Sequence, residues 1–393
     1  MRKKILYLHA SAELYGSDYV LLELIRRLDK SKYEPTVLLP FYGPLQTELY
    51  AMGVDVRIVD FAVLRKKNFN LRGMLEYFFR FLSSTSQLFQ IIRKENIVLV
   101  HTNTIAVFGG AVAARLAGRP HVWQVMEIIV SPKILWKLSS MLVGILSNQV
   151  ATISNAVRDH LISGYGGNAK KAVTVYHGVD SNIYNPLIDP TPVLKEFEVA
   201  DNALIVGMVA RIVPWKGQEC FLRSAAKILQ EMPNVRFFVI GDVFPGNDRY
   251  REQMLALIDE LAIGDNVYVT GFRSDLPQIM STFNVFVLPS VLPEPNATVL
   301  LAAMGMGKPV VATATGGTLE TVIDGETGIL VPPDHPELMA NAIVNLLKDP
   351  ESCKKYGEAG RARQEAIFSI SGYADRIQAF YKEILADQKE RGK

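Results

Sequence analysis

The 393-residue sequence has only two cysteines, Cys220 and Cys353. Two thiols cannot build a disulfide framework, and they match no metal-ligand spacing, so a reducing cytosol is the expected compartment. Long apolar runs are also missing. The longest uncharged stretch, from Leu138 to Val157, is broken by Ser139, Ser140, Ser147, Asn148 and Gln149 and does not read as a membrane span. The basic start, Met1 to Lys4, precedes an apolar run too short for a signal peptide, and charge returns at Glu13. A first buried strand is the better reading. No compact basic-aromatic motif of the nucleic-acid-binding kinds appears, which argues against nucleic acid as a partner.

What is present describes an ordinary globular chain of more than one domain. Hydrophobic residues make up 49% and charged residues 21%, and the length exceeds what one core usually serves. The net charge of +2 hides an asymmetry: residues 1–180 hold 22 Lys/Arg and 13 Asp/Glu, the remainder 20 and 27. A basic half joined to an acidic half suggests that the first half meets something negative.

Short apolar runs alternate with helical periodicity from end to end. In the first half, Ile5–His9, Thr36–Leu39, Val54–Val59, Ile97–His101, His121–Val125, Ala151–Ser154 and Val173–Tyr176 read as buried parallel strands. Tyr19–Leu28 and Ile105–Leu116 are among the helical segments between them. The pattern restarts with Leu204–Val209, Val235–Ile240, Val267–Thr270, Val285–Leu288, Val310–Thr313 and Ile329–Val331. Two such series predict an α/β protein of two doubly wound Rossmann-like domains facing across a cleft. The expected division is 1–180 as the first domain, 181–200 as a proline-rich linker and 201–369 as the second domain. A charged amphipathic helix, 370–393, is expected to close the chain.

In open α/β sheets, ligands sit at strand carboxyl ends, where helix N-termini aim free N–H groups at anions. Two turns suit that role. In Ala10–Asp18, Gly16 permits close backbone approach to a phosphate and Ser17 is a candidate helix cap; the alternative is a plain capped turn. In Ala210–Gly217, Arg211 and Lys216 flank a proline-stiffened loop after a strand. A planar guanidinium and a mobile ammonium suit a departing diphosphate, and solvated surface cations are the alternative. Glu294, between Pro293 and Pro295, follows the strand Val285–Leu288 and can accept hydrogen bonds from sugar hydroxyls. Asn296, Ala297 and Thr298 could offer N–H groups at the next helix start. Gly271, Phe272 and Arg273 end another strand and could line a nucleobase.

These residues resemble glycosyltransferase family 4, the large retaining family of bacterial surface-polysaccharide transferases, over nearly the whole chain. The likeness is most specific across Gly207–Gly217 and Leu288–Pro295, and continues through Gly307–Ala312, Gly316-Gly317 and Asp324–Gly328. In the first half it rests on Tyr15-Gly-Ser-Asp18, His101-Thr-Asn103, Ile153–Ala156 and His177–Asp180. The resemblance implies the two-domain GT-B fold, with the C-terminal helix crossing back onto the first domain. It implies no cofactor beyond a nucleotide-diphosphate-sugar co-substrate held by the second domain, and a glycan or lipid-linked acceptor facing the first. It also implies retention without a metal ion; no Asp-x-Asp pair is present. By the same likeness Arg211 and Lys216 bind the diphosphate, and Glu294 is the first carboxylate of an E-x7-E signature that holds the donor sugar. His101, Asn103, Gln124, Met126 and Glu127 fall on the acceptor side.

Three positions depart from the family pattern. The second signature carboxylate is replaced by Ala302, which removes a charged hydrogen bond to the ribose worth about 1.5–3 kcal/mol. Met126 stands where relatives often carry His or Arg. Asn296-Ala297 replaces a common Phe-Gly. Two alternatives to a transferase follow: a degenerate, non-catalytic or glycan-binding homologue, and a nucleotide-sugar epimerase. Finally, Arg65, Lys66, Lys67, Arg72, Arg80, Arg93 and Lys94 accompany a helical apolar face including Leu71, Phe78 and Phe79. Such a segment can lie on an anionic bilayer, so the expected location is cytoplasmic and peripheral on the inner membrane face; a helix packed on its own sheet also explains the apolar face.

Overall fold

A computed structural model describes residues 2–65 and 68–391, with side-chain surroundings through Gln388. Lys66 and Lys67 of the basic segment, and residues 392–393 of the tail, lie outside the described residues. The chain divides into two compact units: Met1–His177 with Ile370–Lys393, and Gly178–Ser369.

The first unit is built on seven parallel strands: β1 (Lys3–His9), β2 (Tyr33–Leu39), β3 (Asp55–Ile58), β4 (Leu99–Asn103), β5 (His121–Val125), β6 (Gln149–Thr152) and β7 (Ala172–Thr174). Their spatial order is β3-β2-β1-β4-β5-β6-β7, so the winding reverses between β1 and β4. The intervening helices are α1 (Gly16–Arg26), α2 (Pro44–Ala51), α3 (Leu71–Lys94), α4 (Gly109–Leu116), α5 (Lys133–Leu146) and α6 (Asn155–Gly164). Both sheet faces are covered, which is why the strands read as apolar runs rather than as alternation. Leu6 and Leu8 pack with Leu88, Ile92 and Ala113; Ile5 and Tyr7, pointing the other way, pack with Leu21 and Leu24 of α1 and with Ile377 of the C-terminal helix. That helix, Ile370–Arg391, belongs to this unit and packs against α1.

The second unit repeats the plan with six parallel strands: β8 (Ile205–Val209), β9 (Arg236–Ile240), β10 (Val267–Gly271), β11 (Val285–Leu288), β12 (Val310–Thr313) and β13 (Ile329–Val331). The order is β10-β9-β8-β11-β12-β13, with the reversal between β8 and β11. Its first helices are α7 (Thr191–Glu196), α8 (Gln218–Glu231), α9 (Arg249–Glu260), α10 (Leu276–Ser281) and α11 (Thr298–Gly305).

Two boundaries differ from the sequence reading. The stretch 181–200, expected as a linker, packs as part of the second unit. Pro190 and Pro192 start helix α7 rather than a hinge, since proline suits a first turn, and Val193 and Leu194 are buried. The units also separate after His177 rather than after Asp180. Val179 donates its N–H to the Phe368 carbonyl at 3.1 Å, and a Cβ on Gly178 would stand 2.1 Å from that same oxygen.

Candidate functional site

The reversal between β8 and β11 places two loops side by side at the strand carboxyl ends of the second unit. After β8, Pro214–Lys216 form one 3-10 turn, which Gly217 ends at φ +76°. A Cβ on Gly217 would lie 1.9 Å from the Pro289 carbonyl oxygen, so glycine is required both by conformation and by space. Val291 donates its N–H to the Trp215 carbonyl at 3.0 Å, joining the second loop to the first. From the other side, the Gly317 N–H meets the Glu294 carbonyl at 2.6 Å, and a Cβ on Gly316 would come within 2.3 Å of that oxygen. Thr313 Oγ1 donates to the Ser290 carbonyl at 2.6 Å. The loop carrying Glu294 is therefore held on both flanks.

These contacts bring Lys216 and Glu294 together. Lys216 Nζ lies 2.5 Å from Glu294 Oε1, which also accepts a hydrogen bond from the Ser290 hydroxyl. Glu294 is 5% exposed. A carboxylate so enclosed is fixed in direction, and removing either member leaves the other as an uncompensated charge. Arg211 sits two residues beyond β8. Its guanidinium stacks over the Phe244 ring, 3.8 Å from the centroid, and Gln218 Nε2 holds its carbonyl at 2.9 Å. Gly241, at φ +133°, lets the β9 loop approach the Ala210 carbonyl, which a Cβ there would meet at 2.0 Å.

The other donor-side candidates fall around this cradle with different fates. Gly271 ends β10 at φ +72°, and Phe272 is half exposed. The Arg273 side chain is engaged by protein groups: it bridges Glu196 and Asp275, which raise its pKa, and lies over Phe197. Two nearby carboxylates claim it, and neither is predictable from the strand-end motif. Ala297 caps α11, Thr298 opens it, and Asn296 is buried with its Oδ1 accepting from the Thr321 hydroxyl at 3.4 Å. Ala302 is fully buried within α11.

In the first unit, Gly16 opens α1 beside the end of β1, but Ser17 is not the cap. Tyr15 is the N-cap residue, and its N–H is held at 3.0 Å by Asp18 Oδ2. The other Asp18 oxygen lies 2.8 Å from His9 Nε2. This buried pair ties the last residue of β1 to the first turn of α1, a contact that no sequence motif announced.

His101 and Gln124, expected on the acceptor side, are bonded within the first unit. The His101 Nδ1 meets the Tyr381 hydroxyl, and Gln124 Nε2 donates to the Tyr373 hydroxyl at 2.7 Å. Both side chains anchor the C-terminal helix, because alternation along β4 and β5 turns them into the packed layer rather than toward the strand ends. Burial holds the His101 imidazole neutral, its pKa lowered to about 3. Asn103 ends β4 opposite His9 and is buried. Met126 packs into the apolar core. Glu127 accepts from the Thr104 hydroxyl and from the N–H groups of Met126, at 3.0 Å, and Ile105, at 3.2 Å. Burial raises its pKa against the pull of these donors. Its donors thus tie it to the β4–α4 turn.

Comparison with known proteins finds relatives for both units. The profile described as Glycosyltransferase Family 4 matches residues 15–182, and the profile described as Glycosyl transferases group 1 matches residues 193–363. The chain is 28% identical over 330 residues to the alpha-maltose-1-phosphate synthase of Mycolicibacterium smegmatis, covering 77% of this chain and 83% of that protein. It is 33% identical over 193 residues to the alpha-D-kanosaminyltransferase of Streptomyces kanamyceticus, covering 49% of this chain and 48% of that one. It spans about half the length of that second relative. Among solved structures, Anabaena HepE in complex with UDP and glucose superposes with a TM-score of 0.84 at 26% identity, covering 97% of this chain and 100% of HepE. A glycosyltransferase from Rickettsia africae shares the fold, with a TM-score of 0.82 at 22% identity over 98% of this chain and 99% of that one.

Proposed function

The chain belongs to glycosyltransferase family 4 and has the GT-B fold, and from that premise we propose that it moves a sugar from a nucleotide-diphosphate donor to a glycan or lipid-linked glycan acceptor in surface-polysaccharide synthesis. The observation that carries this reading is the Lys216–Glu294 pair at the strand-end reversal of the second unit. Lys216 and Arg211 neutralise the departing diphosphate, supplying without a metal the charge that such a leaving group requires. Glu294 receives the hydroxyls of the donor ring and orients it. With Met126 apolar and Glu127 tied to its own turn, no side chain of that segment serves as a base. The acceptor proton passes to the leaving phosphate on the same face, and the anomeric configuration is retained.

The test begins with a thermal-shift screen of nucleoside diphosphates and nucleotide-sugars, since a true donor stabilises the native state by mass action. With the preferred donor, Glu294→Gln should reduce transfer about 10²–10³-fold. A chain that no nucleotide stabilises and that neither hydrolyses nor transfers any donor would refute the proposal.

Ala302 favours a second reading, a degenerate homologue that binds without catalysis, because the ribose carboxylate of the family signature is missing. Ala302→Glu distinguishes the two. A gain of about tenfold in nucleotide affinity marks a weakened but genuine donor site; no gain, together with no turnover, favours the degenerate reading. An epimerase would instead convert the donor with no acceptor present.

We place the protein at the cytoplasmic membrane surface through α3. No helix among the described residues is long and apolar enough to cross a membrane. The far half of α3 is buried against the sheet through Leu88 and Ile92, whereas Leu71 and Phe79 in the near half are 81% and 67% exposed. Packing on its own sheet therefore accounts for only half of the apolar face, and contact with an anionic bilayer accounts for the rest.

A further inference from the structure

A cavity of about 140 Å³ opens at the carboxyl ends of β2 and β3, lined by Pro40, Phe41, Asp60, Arg65, Tyr77 and Arg80 among others. Pro40 directly follows β2, and Asp60 lies just beyond β3. Arg65 reaches across to the β1–α1 loop, where its Nη2 donates to the Ala10 carbonyl at 3.3 Å. The cavity therefore lies on the same edge of the sheet as Gly16.

Its charges are unevenly matched. Arg80 is paired with Asp60 at 3.2 Å, and Glu76 with Arg72 at 3.0 Å. Arg65 stands over the Phe41 ring, 5.7 Å from the centroid, and has no carboxylate partner among the described residues. Asn68 Oδ1 accepts the Arg65 N–H at 2.9 Å, and Asn70 caps α3 through the Gly73 N–H at 2.8 Å. A guanidinium beside a neutral ion pair and an aromatic ring has the planar fork of donors that suits a phosphate. The same first turns of α3 that supply Tyr77 and Arg80 leave Leu75, Phe78, Phe79 and Leu82 more than half exposed. One helix thus joins a polar cavity to an apolar ridge. The unit around it carries 27 Lys/Arg against 16 Asp/Glu.

We propose that this cavity is the headgroup subsite for an anionic amphiphile, the bilayer-resident acceptor: Arg65 takes its phosphate, and the α3 ridge lies against its apolar part. The assignment rests on the transferase reading and names the acceptor class that reading leaves open.

The test uses the full chain, vesicles of phosphatidylcholine with or without phosphatidic acid, and glycerol 3-phosphate as the headgroup alone. Phosphatidic acid vesicles should bind well above neutral ones. Arg65→Gln should weaken both anionic vesicles and glycerol phosphate about tenfold. The pair Phe78→Ser and Phe79→Ser, on exposed positions, should weaken vesicle binding only. Lys94→Gln, which changes an exposed cation at the far end of α3, should have little effect. Equal losses from Arg65→Gln and Lys94→Gln would mean unspecific charge attraction and overturn the subsite. Glycerol phosphate binding as tightly as vesicles, with no effect of the Phe pair, would assign the anion to a soluble phosphate and overturn the amphiphile. Stabilisation by UDP or GDP should be unchanged in every variant. Its absence in the wild type, with vesicle binding intact, would count against the transferase reading and not against the subsite.

Discussion

The two units share one architecture and use their strand ends differently. The first holds 27 Lys/Arg, 16 Asp/Glu and five of the six histidines; the second holds 15 Lys/Arg, 24 Asp/Glu and one histidine. In the second, close backbone approaches at Gly217, Gly241 and Gly316 press four loops together and leave a cation and a carboxylate in contact. In the first, His101, Gln124 and Glu127 are spent on the unit's own elements. The second unit has a cation and a carboxylate already in contact at its strand ends, while the first has its strand-end polar groups paired internally.

The largest test of that contrast is acidification. Burial lowers the pKa of His101 and His121 to about 3 and of His177 to about 4. All three folded values lie below the ordinary 6.5, so the unfolded chain binds protons first. Stability is full above about pH 6.5 and falls as the pH drops toward the folded values. At pH 5 each histidine should cost about 2 kcal/mol. Hydrogen exchange at pH 5 and 7.5 should show the first unit opening before the second; the reverse order would break the comparison.

A smaller effect is expected at the anchor of the C-terminal helix. Tyr373→Phe removes the partner of the buried Gln124 amide and should cost about 1–3 kcal/mol in a urea titration, without altering stabilisation by nucleotides. If nucleotide binding fell in parallel, the division of labour between the units would need revision. The smallest expected effect lies in the second unit. Phe244→Leu removes the ring beneath Arg211 and should weaken nucleoside diphosphate binding by about two- to fivefold, read by calorimetry, since an exposed cation–π contact is worth about 0.5–1 kcal/mol. A larger loss would sharpen the contrast by showing that the Arg211 guanidinium depends on its aromatic support.

Much of the fold was legible from the amino-acid order. His121–Val125, Val285–Leu288, Val310–Thr313 and Ile329–Val331 have the same limits in the sequence reading and in the structure, and each has a proline or glycine next to at least one end. β4 lies at Leu99–Asn103, two residues beyond the run Ile97–His101, since the apolar run ends at Val100 and Thr102 and Asn103 extend the strand with polar residues. The strand-end positions of Lys216 and Glu294 were equally legible, but their contact spans 78 residues. The tyrosines that claim Gln124 and His101 lie 249 and 280 residues away, and no local spacing could announce them.

The sequence by itself determined the alternation of strands and helices, the repetition of that unit, and which strand ends carry charged or polar residues. These follow from period and burial, which neighbouring residues already express. Only the tertiary structure decided which polar side chains satisfy one another and which are left for a ligand. A buried hydrogen bond needs its partner within about 3 Å, and here the partners come from distant parts of the chain.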